Sequence, residues 1–201
     1  MRNRPLSACA MLLTLASSFA LAFPAVADAA DAKADAKMDT GKLAQGKYLV
    51  DTSGCHDCHT PMKMGKNGPE PDMAMMLSGH PAALQMPPAP KLPEGPWQVV
   101  SSATNTAWSG PWGVSYTANL TPDADTGLGK WTLRNFVDTI RTGRRMGRGR
   151  PVLPPMPIPA YKHFNDQDIE AIFAYLQSIP AIKNQVPEPM APAMEAASAK
   201  Q

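Results

Sequence analysis

The chain has 201 residues, 44% of them hydrophobic, and its 19 basic and 17 acidic side chains leave a net charge of +2. That length has room for one domain with tails, and so even a charge balance excludes steering to nucleic acid or a membrane by an overall field. Beyond the N-terminal stretch no apolar run is long enough to span a bilayer, so no transmembrane anchor is expected.

At the N-terminus, Arg2 and Arg4 form a positive region, Leu6 to Phe23 an apolar run, and Ala25-Val26-Ala27 a small-x-small cleavage site. Together they predict a secretory signal peptide over residues 1–27, with a cut after Ala29 as the competing position. Leu6-Ser7-Ala8-Cys9 resembles a lipoprotein box, but it precedes the apolar run instead of following it. Export would remove Arg2, Arg4 and Cys9, which balances basic against acidic side chains and leaves Cys55 and Cys58 as the two cysteines. Residues 28–40, rich in Ala, Asp and Lys, have little to bury and read as a disordered leader.

A domain is expected over residues 41–182. It opens with a helix whose apolar face is Leu43, Tyr48, Leu49 and Val50 and which stops at Ser53-Gly54. Directly after comes Cys55-His56-Asp57-Cys58-His59, the C-x-x-C-H attachment signature of a c-type haem. Two thiols three residues apart sit on one side of a helical turn and can form thioethers with two vinyl groups, while the terminal histidine faces the iron. Cys55 and Cys58 are the candidate tethers and His59 the proximal ligand. A zinc site would need a second ligand pair that the chain lacks, and no βαβ pattern surrounds the motif as a redox dithiol would require.

Between Thr60 and Trp97 nine prolines fall within residues 61–96, which excludes regular helix or a central strand there. The expectation is an extended wrap across one haem face and the haem edge, with one short helix from Asp72 to Ser78. Met62, Met64, Met73, Met75 and Met76 read as apolar gap-fillers facing the porphyrin, with soft Cu(I) binding as the alternative. Trp97, Trp108 and Trp112 lie outside any helical pattern, and Asn119 to Asp123 and Thr126 to Gly129 are turn chemistry. Short extended pieces are expected there, but no sheet.

Leu133, Phe136, Val137 and Ile140 then repeat at helical spacing behind a Thr132 cap and before Gly143. Ile169, Ile172, Phe173, Leu176 and Ile179 do so behind Asn165-Asp166, with Pro180 marking the end. Residues 183–201 have no periodicity and read as a disordered Pro/Ala-rich tail.

What fills the second axial position of the haem decides the function. Met156, in Leu153-Pro154-Pro155-Met156-Pro157, is the candidate, because flanking prolines stiffen the loop and hold a weak thioether ligand in place. Met146 sits in a mobile Gly/Arg-rich stretch, and His80 and His163 are the weaker bis-histidine alternatives. Arg141, Arg144, Arg145, Arg148 and Arg150 lie just upstream of Met156. They read either as a solvated loop or as propionate neutralisers plus a positive rim for an acidic partner.

The order of early helix, C-x-x-C-H, methionine loop and final amphipathic helix resembles class I cytochromes c. Asn119 to Asp123 with Thr126 to Thr132, Arg141-Thr142-Gly143, Met156-Pro157-Ile158-Pro159-Ala160-Tyr161 and Asp168 to Pro180 resemble the single-haem cytochrome c domains of bacterial periplasmic dehydrogenase cytochrome subunits. The resemblance implies an all-α fold of three to five helices around one covalently attached haem c, here with a long Pro/Met-rich loop insertion. It also implies iron ligation by His59 and Met156. Those subunits typically hold several haem domains and a membrane anchor, whereas one C-x-x-C-H occurs here. The function this implies is a periplasmic electron carrier, not an enzyme. It would shuttle single electrons between a dehydrogenase or quinol-oxidising complex and a terminal oxidase or other acceptor. The alternatives are a haem enzyme or sensor with an open sixth position, for peroxide or a diatomic gas, and a copper-handling protein built on the long loop.

Overall fold

The computed structural model describes residues 28–192, with side chains from residue 40 onward. The expected signal peptide, Cys9 included, and the tail beyond residue 192 lie outside the described residues. Helix α1 (Asp28–Thr52) begins within the stretch expected to be a disordered leader and is followed by the short α2 (Cys55–His59). Gly54, at φ 75°, makes the left-handed turn between them, a conformation that costs glycine nothing.

The all-α class I cytochrome c fold expected from the sequence is corrected by two antiparallel sheets. Strands β1 (Met62–Gly65) and β2 (Gly68–Pro71) form one hairpin. Strands β3 (Val100–Ser101), β4 (Ala107–Gly110) and β5 (Gly113–Tyr116) form a three-stranded sheet in that order. The cause is local: both tight hairpins close through two-residue turns flanked by glycine, Gly65 to Gly68 and Gly110 to Gly113, which fold four-residue segments back on themselves. Prolines do not prevent it, since Pro69 and Pro71 lie two apart in an edge strand and both missing amides fall on one side. The helix expected over Asp72 to Ser78 is reduced to a 3-10 turn, Met73–Met75.

The two later helices follow the sequence reading. Helix α3 (Leu133–Thr142) starts at a reciprocal capping box between Thr132 and Asn135 and stops at Gly143, φ 66°. A short α4 (Ile158–Tyr161) precedes α5 (Asp166–Ser178), capped by the Asn165 side chain. Helices α1 and α5 cross closely at Gly46, where a Cβ would lie 2.0 Å from the Ala171 carbonyl oxygen. Val50, Phe136, Ile140, Ile169, Ile172 and Leu176 make the centre of the core, joined by Leu77 and Leu128 from the loops. Tyr48, read as part of the apolar face of α1, is instead exposed.

The C-terminal segment is packed rather than loose as far as it is described. Asn119 donates to the Ile182 carbonyl at 2.8 Å, Asn184 is buried, and Met190 pairs with Val114 on the free edge of β5.

Candidate cofactor site

The left-handed Gly54 sets α2 at an angle to α1, so Cys55, Cys58 and His59 share one short helical turn. Both thiols are free and half-buried, and burial pushes that of Cys55 up to about 11, so it rests as a neutral thiol. His59 is 8% exposed, and its Nδ1 donates to the Ala118 carbonyl at 2.8 Å. A carbonyl can only accept, so the hydrogen sits on Nδ1 and the lone pair on Nε2. Burial also lowers the imidazole's proton affinity. The ring is thereby held neutral, in the tautomer a metal ligand needs.

Cys55, Cys58 and His59 line a cavity of about 500 Å³, and so does Met156, almost a hundred residues later in the chain. Among the described residues, Met156 is the one methionine and His59 the one histidine that do so. Leu128, Phe136, Ile140 and Ile172 give the cavity apolar walls. The loop bearing Met156 is fixed by backbone bonds from Met156 to the Leu153 carbonyl and from Ile158 to the Met156 carbonyl. It is also tied to the thiol-bearing turn, because the Tyr161 hydroxyl donates to the carbonyl of Ser53. Burial raises the Tyr161 phenol to about 12, so it remains a donor.

The alternative ligands lie elsewhere. His80 is fully buried but is held through Nδ1 by Thr106 at 2.9 Å and through Nε2 by the Leu84 carbonyl at 3.3 Å. His163 is exposed, Met146 is 37% exposed, and neither lines the cavity. The Pro/Met-rich loop does not wrap the cavity as expected, since none of residues 60–114 lines it. Instead Leu77 to His80 pass behind His59, whose carbonyl accepts from the Gly79 amide at 2.8 Å.

The arginine cluster divides by position. Arg141 is structural, donating to the Phe164 carbonyl at 2.7 Å and pairing with Asp166. Arg145 and Arg150 line the cavity, Arg145 over the Trp131 ring at 5.6 Å and Arg150 at 3.4 Å from the Glu188 carboxylate. Sequence reasoning missed the lining supplied by Gln185 to Pro189, because Val-Pro-Glu-Pro carries no hydrophobic period. The Ala118 carbonyl behind His59 has no side-chain signature at all.

Comparison with known proteins adds a second line. No family model matches the chain. It is 29% identical to the fructose dehydrogenase cytochrome subunit of Gluconobacter japonicus over 92% of this chain and 32% of that protein. It is 28% identical to the cytochrome c subunit of a quinone alcohol dehydrogenase of Gluconobacter oxydans over 75% of this chain and 24% of that protein. A diheme cytochrome c-type protein of Cereibacter sphaeroides is 30% identical over 70% of this chain and 37% of its own length. The chain resembles the cytochrome subunits of bacterial dehydrogenases. It spans about a third or less of the dehydrogenase subunits it matches. The likeness is thus to the electron-carrying rather than the substrate-oxidising parts of such enzymes. Among the described residues no helix is long and apolar enough to cross a membrane.

Proposed function

We propose that this chain is a c-type cytochrome that carries single electrons, with one haem c in the 500 Å³ cavity. The observation that carries the reading is the convergence of two free thiols, one neutral imidazole with its Nε2 lone pair available, and one thioether on a single apolar cavity. That donor set fits the group, and the volume falls within the range of cofactor pockets, ~300–1,000 Å³. Cys55 and Cys58 would hold it by thioethers, His59 and Met156 would be the axial ligands, and Arg145 and Arg150 would face its propionates. When bound, the haem supplies a one-electron ferric/ferrous couple whose potential a methionine ligand raises.

The chain's own task is to keep that site unchanged between oxidation states. The Ala118 carbonyl orients His59, the Tyr161 hydroxyl fixes the Met156 loop against the thiol-bearing turn, and the Leu and Ile walls exclude water. A single C-x-x-C-H supports one haem. The signal-like N-terminus supports export to the periplasm, and the relatives support a dehydrogenase as one redox partner.

Optical spectra of the haem-loaded protein and of Met156→Ala test the assignment. The weak methionine-to-iron charge-transfer band is expected in the oxidised wild type and absent from the variant. A high-spin wild type without the band would mean an open sixth position, and carbon monoxide and peroxide binding would then replace electron transfer as the chemistry to measure.

A further inference from the structure

The segment from Ile182 to Met190 makes contacts that an idle tail would not. At its start Asn184, 4% exposed, accepts from the Ala82 amide at 2.8 Å and donates to the carbonyls of Ser78 at 2.7 Å and His80 at 2.9 Å. Its own amide donates to Thr126 Oγ1 at 3.0 Å. At the far end Met190 exchanges two backbone bonds with Val114, each 2.9 Å, adding itself to the edge of β5. Gly113 makes room for it: at φ 94°, a Cβ there would lie 2.1 Å from the Met190 carbonyl oxygen. Between these anchors Gln185 to Pro189 line the cavity, and Pro187 and Pro189 stiffen the span. The Arg150 to Glu188 pair also crosses from cavity to span, but Glu188 is 75% exposed, and solvent-screened pairs are worth little. The Asn184 side chain at one end and the Met190–Val114 backbone pair at the other therefore hold the segment.

We infer that residues 185–190 form a strap that closes the cofactor cavity against solvent, with Asn184 as its hinge post and the Met190–Val114 pair as its latch. The inference rests on the haem reading above. Its consequence is electrostatic. The oxidised group carries one more positive charge than the reduced group, and water stabilises that charge better than proline and valine do. The strap therefore favours the reduced form and raises the potential. It also confines electron exchange to the part of the cavity rim that it leaves uncovered.

The test uses the haem-loaded full-length protein, Met190→Pro, a chain ending at Val186 and a control chain ending at Pro192. Met190→Pro removes the amide that donates to Val114, and the shortest chain removes the latch while keeping the Asn184 post. Three quantities are read: the midpoint potential, the shift of the haem absorption on adding ethylene glycol, and amide hydrogen exchange at Val114. Both latch variants are expected to show a lower potential, a larger solvent-induced shift and faster exchange, with the Pro192 chain like wild type. Latch variants that keep the wild-type potential and solvent response, the haem being attached, would overturn the strap. A wild type that attaches no haem would overturn the cofactor reading and the strap with it.

Discussion

At the scale of single residues, His80 shows how a histidine that looks like a ligand candidate can be spent on structure. Its ring is fully buried, bonded at both nitrogens and tilted 52° against Tyr116 with centroids 4.8 Å apart. Burial lowers its proton affinity, and no carboxylate is among its partners to offset that. The unfolded chain therefore binds this proton more readily than the folded one. The associated stability is full above the ordinary histidine value of about 6.5 and is lost as pH falls below it through the folded value. One such group contributes a slope of at most about 1.4 kcal/mol per pH unit. Denaturant unfolding of the haem-loaded protein between pH 8 and pH 5 should show stability falling on the acid side, and His80→Gln should flatten that fall. An equal slope in wild type and variant would place the titration elsewhere.

At the scale of elements, what the sequence revealed depended on whether a hydrophobic period was present. Helices α3 and α5 were legible because Phe136 and Ile140, then Ile169, Ile172 and Leu176, repeat at helical spacing and their caps are chemically explicit. Short extended pieces were expected around β3 to β5, but their pairing into a sheet was not, because four residues are too few for an alternating pattern to stand out, although glycines on both sides of Pro111-Trp112 were an available hairpin signal. The segment after Ile182 was illegible for another reason: Asn119, Thr121 and Asn184 hold it through polar bonds, which leave no apolar trace. Of the candidate site, the thiols, His59 and Met156 could be read from motif and loop chemistry, while the backbone groups that orient them could not. The α1–α5 crossing supplies a sharp test. Alanine at Gly46 would press on backbone rather than on a yielding side chain, and overpacking of that kind costs about 1–3 kcal/mol. Gly46→Ala should lower the thermal midpoint by roughly 2–12 °C, at about 2–4 °C per kcal/mol for a chain of this size. Gly41→Ala meets nothing within 4 Å and should leave the midpoint unchanged or slightly raised. Equal effects at the two positions would mean that the helices do not cross where the structure has them.

At the scale of the whole molecule, the cavity draws its lining from the thiol-bearing turn and from several stretches between residues 115 and 189. Its walls come from α2, the loop after β5, α3, the Met156 loop, α5 and the C-terminal strap. Because core residues such as Leu128, Phe136, Ile140, Ile169, Ile172 and Leu176 also line it, whatever fills the cavity is part of the core. Dry apolar space costs about 24 cal/mol per Å³, which for 500 Å³ amounts to roughly 12 kcal/mol. A domain's whole net stability is ~5–15 kcal/mol. Water entering the space would lower the cost but would wet the leucine, isoleucine and phenylalanine walls instead. Either way the polypeptide without its cofactor should not keep this packing. Cys55→Ala/Cys58→Ala protein freed of haem is therefore expected to lose its near-UV circular dichroism and its sharp thermal transition while retaining much of its helical signal, since α3 and α5 carry their own caps. The haem-loaded wild type should melt in one cooperative step. If the haem-free double variant melted as sharply as wild type and within a few degrees of it, the walls would be self-supporting. The cofactor would then be a passenger in a finished fold rather than the centre of its core.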